Sequence, residues 1–517
     1  MLFTGKSIIN RLSASIATTG VIVLAAGAIT GSGQGGAVAA GTAEPYHPAP
    51  LTWAACPTPP VARPGEPQPQ RLECAKLTVP LDYAEPHGET IQVALIRVRA
   101  TDQAHRLGSL VFNFGGPGAS GIDAFTGGVA AQFAKLGTRY DLVSFDPRGV
   151  GRSSPVTCVD DKWKDAWAAV DASPDDAGER AAFRAASRAL IEGCEKRSGK
   201  VLPYVGTVSA ARDMDVLRAA LGERKLNYFG FSYGTWLGAG YAHLFPANVG
   251  RVVLDGAVNT KLDPVRFFLE QAAGFQRALG HYSRWAAQQP GARTTKNAVT
   301  AKIAALLDGL DGRPLATDSG RELTQSLGEA GVLAALYSNY AWPLLTQAIE
   351  RAAAGDGTIL LSLADALFQR SPDGHYTNYL DVSGAIYCAS TPQRYTERDI
   401  AKALPAFKKA SPVFGPTLAW RAMSCTGWPV EGDENAHKVD APGAPPIVVI
   451  GNTGDPATPY SWAPALAQQL GSGVLLTLKG EGHGAYPTGD ACIQGAVDGY
   501  LLNGRVPANG TTCPGTH

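Results

Sequence analysis

The pentapeptide Gly230-Phe231-Ser232-Tyr233-Gly234 constrains this chain more than any other stretch. Upstream, Leu226-Asn227-Tyr228-Phe229 reads as a short buried strand. Downstream, Thr235-Trp236-Leu237-Gly238-Ala239-Gly240-Tyr241 opens a helix rich in small residues. A chain that passes from strand to helix in so few residues needs a sharp turn. The residue at its apex takes a strained backbone conformation, and the flanking glycines let strand and helix approach. A serine there holds its hydroxyl out at the edge of the sheet. Ser232 is therefore the candidate nucleophile, but a bare G-x-S-x-G arises often by chance, so the case needs a base, an acid and oxyanion donors elsewhere.

The surrounding pattern supplies the sheet. Strand-like segments run over Lys76–Leu81, Thr90–Val98, Ser109–Phe114, Tyr140–Phe145 and Arg251–Leu254, with helical spacing over Ala210–Leu221. Short strands alternating with helices predict an α/β fold, a mostly parallel central sheet covered by helices on both faces. From Asp263 to Ala436 the pattern changes to amphipathic stretches, Val265–Gln289, Ala298–Leu310 and Gly328–Ala354, which read as a helical cap inserted into the sheet domain. Strands return at Pro446–Ile450 and Gly473–Leu478, with helices over Ser461–Leu470 and Gly489–Leu502.

A serine hydroxyl needs an imidazole to take its proton, and the imidazole needs a carboxylate to fix its tautomer. In doubly wound hydrolases these follow the nucleophile in the order acid, then histidine. Asp455, in Gly454-Asp455-Pro456-Ala457-Thr458-Pro459, follows one late strand; His483, in Gly482-His483-Gly484, follows the next. Ligand sites in open sheets form at such carboxyl ends. The other histidines lack a late, post-strand location. Asp433, Glu434 and Asp440 precede the strand and rank below Asp455. Acyl transfer also needs donors aimed at the developing oxyanion. The Tyr233 amide follows the nucleophile, and Gly116 lies in the Gly115-Gly116-Pro117-Gly118 loop after an early strand. Asp146 and Arg148 read as a structural pair that braces loops near the site.

Lys6 and Arg11, the apolar run Ile16–Ile29 and Ala37-Val38-Ala39 make residues 1–39 an export signal with an A-x-A cleavage site. The run is too short and broken for a spanning helix, so no stable membrane insertion is expected. The eight cysteines agree with export. They allow about a hundred pairings, of which neighbour-to-neighbour bridging, 56–74, 158–194, 388–425 and 492–513, suits their clustering. No C-x-x-C or Cys/His ligand cluster is present, so neither a metal nor another cofactor is expected. The formal net charge of +0 gives no electrostatic argument for a nucleic-acid partner. The expected division is 1–39 signal, 40–75 leader and disulfide-tied segment, 76–262 first part of the core, 263–436 cap, and 437–517 second part.

The chain resembles the α/β-hydrolase superfamily and, more narrowly, secreted tripeptidyl aminopeptidases of actinobacterial type, relatives of the proline iminopeptidases. The resemblance rests on Phe112-Asn113-Phe114-Gly115-Gly116-Pro117-Gly118, Phe145-Asp146-Pro147-Arg148-Gly149-Val150-Gly151-Arg152-Ser153, Gly230-Phe231-Ser232-Tyr233-Gly234-Thr235 and the two loops around Asp455 and His483. It implies release of short peptides from free amino termini through an acyl-enzyme on Ser232. Peptide substrates with a free ammonium then require carboxylates in the cap, for which Glu270 is a candidate. One departure is Ser390, where the family pattern has an acidic residue two positions after the cap cysteine Cys388. A secreted esterase with the same triad is the alternative, and a binding protein on an inactivated scaffold is a third reading. Scaffolds that open epoxides or remove halogens carry Asp at the nucleophile position, which Ser232 excludes.

Overall fold

The computed structural model describes residues 46–57 and 71–515; the expected export signal and part of the leader lie outside the described residues. The strands are β1 (Ala54–Ala55), β2 (Leu72–Pro80), β3 (Thr90–Val98), β4 (Gly108–Asn113), β5 (Tyr140–Phe145), β6 (Leu226–Phe231), β7 (Val249–Asp255), β8 (Leu315–Ala316), β9 (Glu322–Leu323), β10 (Ile447–Gly454), β11 (Gly473–Glu481) and β12 (Thr511–Cys513). All but β8 and β9 join one sheet in the order β1-β2-β3-β5-β4-β6-β7-β10-β11-β12. The pairs β1·β2, β2·β3 and β3·β5 are antiparallel, and the remaining pairs from β5 to β12 are parallel.

Every residue of β4 and β5 is buried, as continuous apolar runs predict for strands covered on both faces. On one face Phe112, Phe114, Phe229 and Phe231 stack in a ladder, with Phe112–Phe229 centroids 5.8 Å and Phe114–Phe231 centroids 5.9 Å apart. Phe133 and Tyr486 close that layer. On the other, Val111, Val143, Tyr228 and Leu254 pack with the helices Thr207–Ala220 and Tyr233–Leu244. Each buried Phe contributes about 2–3 kcal/mol of apolar transfer. After β4 the chain turns to one side to make β5 and then crosses to the other to make β6. A crevice opens beyond the carboxyl ends of β4 and β6 at this reversal. Gly115, Gly116 and Ser232 occupy it.

Between β7 and β10 the chain is mostly helical, from Pro264–Ala287 to Gly415–Arg421, with the β8–β9 hairpin as its only named strands among the described residues. The stretch expected as continuous over Gly328–Ala354 is two helices, Gln325–Leu336 and Trp342–Ala353. Pro343 starts the second without needing an amide donor, and the Ser338 hydroxyl caps the turn between them. The long helix Ala177–Ser198, opened by a capping box of Asp176 and Glu179, had no counterpart in the sequence reading.

All four neighbour-to-neighbour disulfides form: Cys56–Cys74, Cys158–Cys194, Cys388–Cys425 and Cys492–Cys513. They are consistent with an oxidising, extracellular compartment. No described helix is long and apolar enough to cross a membrane.

The expected Asp146–Arg148 pair is not formed. Arg148 instead makes a buried bidentate pair with Asp213, 2.7 and 2.6 Å, and donates to the Pro80 and Leu81 carbonyls. Asp146 accepts from the Ser120 hydroxyl (2.6 Å) and the amides of Ile122 and Arg152. The two side chains lie close in sequence just beyond the end of β5, but they point to different partners.

Candidate active site

Ser232 takes φ 55° and ψ −123° at the start of the helix Tyr233–Leu244. This left-handed conformation costs a non-glycine residue about 1–3 kcal/mol and persists only where its surroundings impose it. They do. A Cβ on Gly230 would lie 2.3 Å from the Gly234 carbonyl oxygen, and one on Gly234 would lie 2.6 Å from that of Asn113. The Ser232 amide donates to the Asp255 carbonyl (3.0 Å), and Thr235 returns both its amide and its hydroxyl to the Ser232 carbonyl.

Asp455 and His483 meet. His483 Nδ1 lies 2.9 Å from both carboxylate oxygens, and both side chains are nearly fully buried. One oxygen accepts from the Ala457 and Thr458 amides (2.9 and 2.8 Å). The other accepts from the Thr458 hydroxyl (2.9 Å) and the Gly484 amide (3.1 Å). Because a carboxylate only accepts, the ring proton belongs on Nδ1, which leaves Nε2 with its lone pair. The ring is held by Tyr337, whose edge-on ring lies 5.5 Å away and whose carbonyl accepts the His483 amide at 2.8 Å. That carbonyl is exposed by the helix break after Leu336, so the interruption has a use at the site. Ser232 and His483 both approach the end of β7: the Asp255 carbonyl receives the Ser232 amide, and a Cβ on the next residue, Gly256, would lie 3.1 Å from His483 Cε1.

The oxyanion candidates lie on the wall of one cavity with Ser232: Gly116 and Tyr233 both line it. Neither amide has an acceptor among the described hydrogen bonds. Gly115 makes the tighter approach, since a Cβ there would lie 2.5 Å from the Phe231 carbonyl oxygen and 2.9 Å from Ser232 Cβ. The loop is clasped by the helix Tyr379–Ser390, where the Ser383 hydroxyl donates to the Pro117 carbonyl and the Tyr379 ring abuts Gly116. Trp236, Phe267, Phe268 and Tyr387 give the cavity an aromatic lining. Arg421 adds a positive charge; burial pushes its pKa down to about 10, so it stays protonated at neutral pH.

Glu270 does not line this cavity. Its carboxylate accepts from Trp462 Nε1 at 2.6 Å and from Arg266 at 3.5 Å. Ser390 is buried in a hydroxyl chain through Thr207 Oγ1 to the Tyr233 hydroxyl, 2.8 Å at each step. Asp433 caps a turn and Asp440 is exposed beside His243, so neither joins His483.

Asp255 was not singled out in the sequence, where it reads only as the end of a strand. Its fully buried carboxylate accepts from the Ala485 amide (2.9 Å) and the Tyr486 amide (2.8 Å), the residues that follow the His483 loop. Burial raises its pKa from 3.8 to about 6. The folded chain therefore holds the proton more tightly than the unfolded one, and stability falls as pH rises from about 4 to 6, by about 3 kcal/mol in all. Activity should move the other way, because the neutral acid is a poorer acceptor for the two amides. We expect Asp255→Asn to flatten the stability profile over that window and to remove a step near pH 6 from the acid limb of kcat/KM. Identical pH profiles for the two proteins would contradict this.

A strained serine on a strand-to-helix turn, an acid and a histidine two and three strands away in the sheet, and two open amides define the active-site architecture of an α/β hydrolase. Models of known families agree: residues 108–305 match the alpha/beta hydrolase fold and residues 411–513 match the TAP-like protein family. Over 495 residues the chain is 37% identical to serine protease Hip1 of Mycobacterium tuberculosis, covering 91% of this chain and 92% of that one. It is 34% identical over 455 residues to tripeptidyl aminopeptidase of Streptomyces lividans (86% and 84% covered). It is also 34% identical over 460 residues to carboxylesterase B of M. tuberculosis (85% and 86%). The chain belongs to this α/β-hydrolase family of serine peptidases and esterases, and it is a serine hydrolase.

Proposed function

We propose that this enzyme is a secreted serine exopeptidase that releases short peptides, tripeptides foremost, from free amino termini. The reading rests chiefly on the 2.9 Å contact between His483 Nδ1 and the buried Asp455 carboxylate, beside the strained Ser232 turn. His483 Nε2 takes the Ser232 proton as Oγ attacks the scissile carbonyl. The amides of Gly116 and Tyr233 hold the oxyanion, and the C–N bond breaks as His483 passes that proton to the leaving amine. Water, deprotonated by the same imidazole, then frees the acyl group. The helical segment 263–436 serves as the cap.

Exopeptidase action needs a carboxylate at a fixed distance from Ser232. The bond from Trp462 argues against Glu270 in this role. No carboxylate lines the Ser232 cavity among the described residues, and Glu329, buried against the Thr417 hydroxyl, lines a separate cavity with Trp167 and Phe183.

Anilides of two, three and four residues, with free and acetylated amino termini, test the reading. The free three-residue substrate should be cleaved best, and acetylation should cost about a hundredfold, in line with an unpaired buried charge. Equal cleavage of the acetylated substrate would rule out the exo mode. Turnover of esters without cleavage of any peptide would favour the activity named for the carboxylesterase relative.

A further inference from the structure

Two cavities flank the catalytic groups, and they divide them. The aromatic one holds Ser232, Gly116 and Tyr233 but not His483. A second, of about 100 Å³, is lined by His483, Gly482 and Gly484 but by neither Ser232 nor Gly116. Its floor is Phe114, Phe133 and Phe231, the top of the phenylalanine ladder, and its far wall is the helix break at Tyr337–Tyr340. Acyl transfer imposes a division of this kind. The carbonyl being attacked must stand between the nucleophile and the oxyanion donors. The leaving atom must stand within reach of the imidazole that gives it a proton. The aromatic cavity then takes the acyl side, and the His483 cavity takes the leaving side.

Tyr340 supports the assignment. It is 74% exposed, the most exposed large hydrophobic side chain among the described residues, and it lines this cavity. Its hydroxyl approaches the Thr488 carbonyl at 3.4 Å, so the ring bridges from the helix break to the loop after His483. Single exposed aromatics are ordinary, but this one extends an aromatic floor that begins beside the imidazole. We propose that the His483 cavity is the leaving-group subsite and that it takes an apolar, preferably aromatic, side chain: the first residue of the released polypeptide. The peptide form of this inference rests on the exopeptidase reading; the location of the subsite does not.

The test separates the two. Methyl and benzyl esters of one acyl group leave as alcohols of nearly equal acidity, so the ratio of their kcat/KM values reports what the leaving group touches. The ratio, benzyl over methyl, should be about tenfold, the low end for filling an apolar pocket. It should fall to between one and two in Tyr340→Ala, which removes the lip, and in Gln132→Trp, which fills the mouth from an exposed position on the cavity wall. Peptides with Phe rather than Gly after the scissile bond should show the same preference and the same loss. A wild-type ratio near one, or an unchanged ratio in both variants, overturns the subsite. Ester ratios that behave as expected while no free-amine peptide is cleaved would leave the subsite standing and remove the exopeptidase reading.

Discussion

Ser232→Ala is expected to lower kcat by about 10⁵- to 10⁶-fold while leaving the fold intact. On the proposed mechanism, removing Oγ leaves no nucleophile, and the residual rate is what oxyanion donors and binding alone provide. Stability should change by less than about 1 kcal/mol, because the backbone restraints do not involve the hydroxyl. They are the amide bond to Asp255, the two bonds from Thr235 and the contacts of Gly230 and Gly234. Ser232→Gly offers a sharper comparison. Glycine adopts φ near 55° without strain, so that variant should be equally inactive yet more stable by about 1 kcal/mol. Turnover, labelling by a fluorophosphonate probe and the thermal midpoint together separate these effects. Labelling that survives in Ser232→Ala would mean that another side chain is the nucleophile.

Much of this site can be read along the chain because each element of the sheet ends in its own chemistry. The strand-to-helix turn, the glycine loop after β4 and the loops after β10 and β11 are local patterns, and their sequence order is enough to place them at one sheet edge. What could not be read depends on partners far apart in the chain. Tyr337 meets His483 across a stretch that includes the whole second half of the helical segment, and no periodicity marks the helix break that exposes its carbonyl. Arg148 has Asp146 two residues away but pairs with Asp213, 65 residues along the chain. Glu270 lies on the predicted helix, yet its carboxylate is taken by a tryptophan from a helix near the other end of the chain. Asp255 is the clearest omission. A carboxylate at the end of a buried strand carries no motif, and only the amides of Ala485 and Tyr486 reveal what it does.

Asp455→Asn is expected to cost about 10⁴-fold in kcat, and the geometry gives the reason. The Ala457 and Thr458 amides both donate to one oxygen, which fixes the carbonyl of an introduced asparagine at that position. Its NH₂ is then forced into the other position, facing His483 Nδ1, the Thr458 hydroxyl and the Gly484 amide. Nδ1 lies 2.9 Å from both positions, so the introduced donor competes with the remaining oxygen for it, and an imidazole drawn to the tautomer protonated on Nε2 cannot accept from Ser232. The donor–donor contact with the Gly484 amide also loosens the loop that carries the ring. The loss should therefore appear in kcat more than in KM, with circular dichroism unchanged. Because the tautomer is at fault, raising the pH should not restore the rate. A loss smaller than about tenfold in a folded variant would mean that the imidazole takes its support from elsewhere, and Asp255, buried beneath the same loop, would be the acid to remove next.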